Sequence, residues 1–215
     1  SSTGFTARQF GQNGDIPVQG DYDGDGKSDI AVFRPSNGGW YRINSSNGQF
    51  FATQFGMVGD KPVQADFDGD GKTDVAVWRA GTMANFYILQ SSNNTFRQEQ
   101  FGTTGDDPSA SGDWDGDGKA DVAVYRNGSA AGAQSNFYYR PSSIPGADYS
   151  PVPWGISGDR PSRGDFDGDG KLDPAVFRPS NGVWFVLNSA TGTFTAVQFG
   201  VADDRLVAAD YDGDG

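Results

Sequence analysis

A nine-residue phrase, Asp-aromatic-Asp-Gly-Asp-Gly-Lys-x-Asp, is written four times in this chain. It starts at Asp21, Asp66, Asp113 and Asp165, at intervals of 45, 47 and 52 residues, and its first six residues return at Asp210 after another 45. The flanks repeat with it. Upstream stand "QFGQNGDIPVQG", "QFGMVGDKPVQA", "FGTTGDDPSASG" and "WGISGDRPSRG"; downstream stand "IAVFRPSNGGWYRIN", "VAVWRAGTMANFYIL", "VAVYRNGSAAGAQSNFYYR" and "PAVFRPSNGVWFVLN". A repeat of this length restricts the fold to architectures that stack copies of one small unit. One such unit cannot bury its own apolar faces and needs neighbours to do so.

Each unit divides into four short strand candidates. In the first they are A (16–20), B (30–34), C (40–44) and D (50–55), rich in Val, Ile and aromatic residues and bounded by Gly, Pro, Asn, Asp or Ser. No segment carries a sustained 3.6-residue apolar period, so no helix is expected. "PSNGG" and "SSNGQ" read as hairpin turns. Four strands in about 45 residues describe a β-propeller blade. A parallel β-helix is the rival, but its coils are shorter and lack a four-strand meander. The expected fold is therefore all-β: one propeller domain over 1–215, with four-stranded antiparallel blades at about 16–56, 62–102, 108–155 and 161–200. Residues 4–11 resemble a strand D, and 205–215 resemble a strand A followed by half a loop. These two pieces predict a partial fifth blade in a ring of five or more, and a chain that continues beyond this sequence.

The repeated loops carry the chemistry. Carboxylates stand at loop positions 1, 3, 5 and 9, with Gly at position 6 and a backbone carbonyl available at position 7. The first part of this spacing matches an EF-hand calcium loop. The candidate ligands are Asp21, Asp23, Asp25, Lys27 and Asp29; Asp66, Asp68, Asp70, Lys72 and Asp74; Asp113, Asp115, Asp117, Lys119 and Asp121; and Asp165, Asp167, Asp169, Lys171 and Asp173. Each Lys is a candidate through its carbonyl. The half loop adds Asp210, Asp212 and Asp214 but lacks positions 7 and 9, so its site is expected to be weak or empty. A strand follows each loop where an EF-hand has a helix, and Asp at position 9 replaces the Glu at position 12. Turn preference alone explains one or two Asp per loop. It does not explain four, because crowded carboxylates repel one another. A hard dication relieves that repulsion, and the number of protein oxygens favours Ca²⁺ over Mg²⁺.

The remaining composition agrees. The chain has 27 Asp and a single Glu, Glu99, with a formal net charge of −12. This balance argues against a nucleic-acid partner, which needs a basic surface. No apolar run of about 18 residues offers a membrane span, and no charged-then-apolar leader opens the sequence, so any signal peptide is expected to have been removed or to lie outside it. There is no Cys and no His, which excludes disulfides, thiolate metal sites and imidazole bases. With most carboxylates assigned to metal, the expectation is a non-enzyme. Calcium loops of modest affinity fill where calcium is millimolar, which predicts secretion or surface display.

The loops together with Phe10-Gly11, Phe55-Gly56, Phe101-Gly102, Trp154-Gly155 and Phe199-Gly200, and the turns "GDIP", "GDKP", "GDDP" and "GDRP", resemble the FG-GAP/VCBS repeat family. These are integrin-α-like propellers found in bacterial surface proteins and some lectins. The resemblance implies calcium in the Asp loops and a ligand, protein or glycan, on the opposite face. It implies no reaction, since one fold hosts many functions. The expected role is extracellular binding or adhesion. The alternatives are a lectin with sugar sites between blades and an accessory domain of a larger surface enzyme.

In an up-and-down meander, the A–B and C–D connections share one face and the B–C and D–A connections share the other. The third unit enlarges its B–C loop (127–136) and its C–D turn (141–148), with the larger change expected opposite the calcium. Trp40, Trp78, Trp114 and Trp184 are expected to pack between blades. Arg34, Arg79, Arg126 and Arg178 close strand B and are read as structural. Asp15, Asp60, Asp106 and Asp159 either cap the "GDxP" turn or pair with those arginines. Asn44, Asn93 and Asn127 lie in N-x-S/T sequons.

Overall fold

The computed structural model describes residues 7–208. Blade 1 is β1 (Ile16–Pro17), β2 (Ile30–Arg34), β3 (Gly39–Ile43) and β4 (Phe50–Gln54), hydrogen-bonded in that order. Blade 2 is β5 (Lys61–Pro62), β6 (Val75–Arg79), β7 (Asn85–Leu89) and β8 (Phe96–Gln100). Blade 3 has three strands, β9 (Val122–Arg126), β10 (Gln134–Arg140) and β11 (Ser150–Ile156). Blade 4 is β12 (Arg160–Ser162), β13 (Ala175–Arg178), β14 (Val183–Leu187) and β15 (Phe194–Gln198). All pairings are antiparallel. The expected all-β propeller is present with four blades. Residues 7–10 and 205–208 belong to no strand, and the rest of the expected fifth blade lies outside the described residues.

The strands of type B explain why the blades stack. In β6, Val75 and Val77 face blade 1 and pack with Val18, Tyr22, Ala31, Phe33 and Trp40. Ala76 and Trp78 point the other way, into a cluster with Phe67, Phe86, Ala120, Val122 and Val124. Side chains alternate across a strand, so a continuous "VAVW" run is stable only if both faces are covered. The third interface repeats the plan, with Trp114, Ala123, Tyr125 and Phe137 against Val176. Trp40, Trp78 and Trp114 are buried as expected, whereas Trp184, on the outer face of blade 4, is only half-buried.

Blade 3 departs from the four-strand expectation. The "GD" Asp stands six positions before the first loop Asp in the other units; Asp106 stands seven positions before Asp113. One extra residue in a strand would turn its whole apolar set to the wrong face. The chain absorbs it in a 3₁₀ turn, Pro108–Ala110, where Asp107 caps the turn by accepting the Ser109 N–H. The Ser111 hydroxyl then accepts the Ala123 N–H at 3.2 Å, replacing a lost ladder bond. The blade 3 loops grow as expected. Arg126 pairs with Asn136, so residues 127–135 join strands B and C between paired positions, against 35–38 in blade 1, and the C–D turn is 141–149 against 44–49. The larger growth is opposite the Asp loops, where Gln134 extends the β10–β11 hairpin beyond the end of β9.

At the rim opposite the Asp loops, the recurring Arg and Asp meet in one fork per blade. Arg34 donates Nε to Asp15 Oδ1 at 2.8 Å and Nη2 to Asp15 Oδ2 at 2.9 Å. Arg79–Asp60, Arg126–Asp106 and Arg178–Asp159 repeat both bonds. Each Asp also caps its turn, as Asp15 does by accepting the Gln12 N–H at 2.9 Å. The two readings of these Asp residues are therefore both correct. Hydrogen bonding from Arg34 holds the Asp15 carboxyl below its ordinary 3.8. A depressed carboxyl contributes stability that is complete above its unfolded-state pKa and is lost as pH falls through the folded one. Urea denaturation should therefore show Asp15→Asn to be destabilising at pH 6, with the gap from the parent chain closing as the pH falls to 3.

Candidate metal centres

Each Asp loop joins the inner strand, or the 3₁₀ turn of blade 3, to strand B, and its first carboxylate folds the loop around itself. Asp21 Oδ1 accepts the N–H of Gly24 at 2.6 Å and of Asp25 at 3.2 Å, while Oδ2 accepts that of Gly26 at 2.7 Å. The same three bonds recur on Asp66, Asp113 and Asp165. Gly24 and Gly26 both have φ of 80°, a left-handed conformation that a side chain would strain. Lys27, Lys72, Lys119 and Lys171 each donate a backbone N–H to the carboxylate two residues earlier.

The ninth-position carboxylates are buried. Asp29 Oδ2 accepts the Tyr22 N–H at 3.0 Å and Oδ1 accepts the Ser45 N–H at 2.6 Å, fastening the loop to the C–D turn beside it. Asp74, Asp121 and Asp173 make the matching pairs with Phe67 and Ser91, Trp114 and Ser142, and Phe166 and Ser189. Burial raises Asp74 and Asp173 above the ordinary carboxylate value and pushes Asp121 up to about 6. A nearby dication would favour the ionised form and oppose that shift.

The C–D turns complete the loops. Ser45 Oγ donates to Asp25 at 2.8 Å and Ser46 Oγ to Asp23 at 2.6 Å. Ser91 and Ser92 serve Asp70 and Asp68, and Ser142 and Ser143 serve Asp117 and Asp115. In blade 4, Ser189 serves Asp169 while Ala190 offers Asp167 only its backbone N–H. These serines were missed from the sequence, although "NSS", "QSS", "PSS" and "NSA" after strand C carried the signal.

Four carboxylate triads result: Asp21, Asp23 and Asp29; Asp66, Asp68 and Asp70; Asp113, Asp115 and Asp121; and Asp165, Asp167 and Asp173. Each residue places one oxygen within 4.8 Å of the other two. Asp25, Asp74, Asp117 and Asp169 stand in the same loops but outside the triads, turned toward serines or backbone N–H groups. Asp210, Asp212 and Asp214 lie outside the described residues. The donor set of the triads is all oxygen and fits a hard cation. Asp167 Oδ1 is buried without a hydrogen-bond partner, which leaves a carboxylate lone pair for such an ion.

Adjacent loops are also coupled. Thr73 N–H donates to the Asp21 carbonyl at 2.6 Å, Ala120 to Asp66 at 2.6 Å and Leu172 to Asp113 at 2.7 Å. The stems of Lys72, Lys119 and Lys171 lie across Gly24, Gly69 and Gly116 of the preceding loop.

The family model for the FG-GAP-like repeat matches residues 66–124 and 165–215. The chain belongs to the FG-GAP-like repeat family. The matched segments hold the loops of blades 2, 3 and 4 and the half loop; blade 1 reproduces the same contacts. No curated protein matches the chain.

Deleting a ninth-position carboxylate removes two buried bonds at once. Asp74→Ala should cost roughly 1–3 kcal/mol for each stranded N–H, on Phe67 and Ser91, even in chelator. Chemical denaturation in EDTA measures this, with Asp70→Ala as the exposed comparison.

Proposed function

We propose that this FG-GAP-like propeller is an extracellular, calcium-stabilised binding module without catalytic activity. The observation that carries the metal half is the fourfold repetition of one oxygen-lined triad, with an unpartnered Asp167 oxygen in the fourth. The triads, with the remaining loop carboxylates and the carbonyls of Lys27, Lys72, Lys119 and Lys171, would hold Ca²⁺. Four dications would supply eight positive charges against a net charge of −12. In a chain without disulfides, calcium fixes each A–B corner at the cost of desolvating the carboxylates. An extracellular setting, where calcium is abundant, suits loops of this type. No helix among the described residues is long and apolar enough to cross a membrane.

The binding half rests on the face opposite the metal loops. Met57, Val58 and Met83 are 52%, 73% and 63% exposed there, on a rim stiffened by the Arg–Asp forks. Exposed apolar side chains on a rigid frame suit a protein ligand. One observation favours the lectin reading. Between blades 2 and 3, Phe101, Tyr138, Tyr149, Arg126 and Arg140 line an open groove of about 300 Å³. Its edge-on rings and guanidinium groups offer a sugar both apolar faces and hydrogen-bond donors.

Isothermal titration of metal-free chain should show calcium uptake at four described sites, and EDTA should lower the melting temperature by many degrees. An unchanged melt would remove calcium from the account. A glycan array in calcium separates the two ligand classes. Saturable binding lost in Tyr138→Ala identifies a lectin, whereas a blank array with that variant still folded leaves a protein ligand.

A further inference from the structure

Two residues before the first loop Asp, the four units carry Gln19, Gln64, Ser111 and Arg163; only the fourth is charged. All four line one open pocket of about 390 Å³, together with Thr73 and Leu172. Four blades meet there, which places the pocket on the axis of the propeller. Arg163 Nη1 donates to the Ser111 carbonyl of blade 3 at 2.9 Å and, more loosely, to the Gln64 carbonyl of blade 2 at 3.5 Å. Its hydrogen bonds are thus to blades 2 and 3, not to residues at either end of the described chain.

The charge of Arg163 has no counterpart. Arg34, Arg79, Arg126 and Arg178 each fork onto a carboxylate through Nε and Nη2, and those bonds raise their pKa values. Arg163 meets no carboxylate among the described residues, and burial pulls its guanidinium below the ordinary value. Asp165, two residues on, gives both oxygens to the N–H groups of Gly168, Asp169 and Gly170 in its own loop. The carbonyls at Nη1 suffice to hold the side chain in place. They leave its Nε–Nη2 edge without a partner among the described residues. A desolvated cation without a counter-charge is costly, and that edge is the one a carboxylate bridges with two parallel bonds.

We infer that this axial pocket is a binding site for a small carboxylate anion, held by the Nε and Nη2 donors of Arg163. A single negative charge neutralises the guanidinium without adding to the acidity of a chain of net charge −12. Gln19, Gln64 and Thr73 are the neutral polar residues beside it, and Ala65 and Leu172 give a short aliphatic stem an apolar wall. The same donor pair already holds an aspartate at four places on the opposite rim. The site uses no carboxylate of the metal triads and rests on neither the calcium nor the lectin reading.

Titration of the intact, isotope-labelled chain with acetate at constant ionic strength, followed by nuclear magnetic resonance, tests this. The Arg163 Nε–H signal should shift saturably in millimolar acetate. Acetamide, of the same shape without the charge, should leave it in place, and chloride, which cannot bridge two donors, should bind at least tenfold more weakly. Arg163→Lys keeps a cation and loses the fork. Acetate affinity should then fall at least tenfold, read from the backbone N–H signals of Thr73 and Leu172. An Nε–H signal indifferent to acetate, or equally responsive to acetamide or chloride, overturns the proposal, and this comparison in the parent chain needs no variant to fold. Undiminished acetate affinity in folded Arg163→Lys overturns it as well.

Discussion

Strand B is apolar on both of its faces, and this constraint governs the molecule. A free-standing four-stranded blade would expose Val75 and Val77 on one side and Ala76 and Trp78 on the other. Stacking is the only arrangement that buries both. Interfaces follow one after another, each built from one strand's odd positions and its neighbour's even ones. The outer face of blade 4 shows the same constraint unmet. Its half-buried Trp184 and exposed Phe199 are the residues that the other interfaces cover.

The two ends of each blade solve different electrostatic problems. At one rim, an arginine closes every strand B and is neutralised by an aspartate that also caps a turn. At the other, carboxylates of one sign are crowded together. The chain tolerates that crowding by giving most of their oxygens backbone N–H groups and serine hydroxyls. The neighbouring loops are tied to one another through backbone bonds such as Thr73 to Asp21. Each Asp loop is thus held to the next blade by a short backbone hydrogen bond.

Much of this was legible in the residues because a repeat multiplies weak local signals. One "DYDGDGKSD" could be a turn; four, each between strand candidates, define a corner. The four strands expected in the first unit match β1 to β4 to within three residues for the same reason. Blade 3 was harder. One additional residue before Asp113 is inconspicuous in sequence, yet a pleat cannot absorb it, and the inner strand becomes a 3₁₀ turn. The serines after strand C were equally visible but had no assigned role, because their partners lie about 20 residues earlier and meet them only after the blade has folded.

The sequence alone determined the four repeat units, the polarity of the two rims and the residues of the Asp loops, since these depend on spacing and side-chain chemistry. The tertiary structure decided which carboxylates converge. Asp29, Asp121 and Asp173 join triads in blades 1, 3 and 4, whereas in blade 2 Asp70 joins and Asp74 does not. It also decided that the "GDxP" aspartates cap and pair at once, because one carboxylate has lone pairs for both. Finally, it showed that Asp204, unlike its four counterparts, holds no arginine among the described residues.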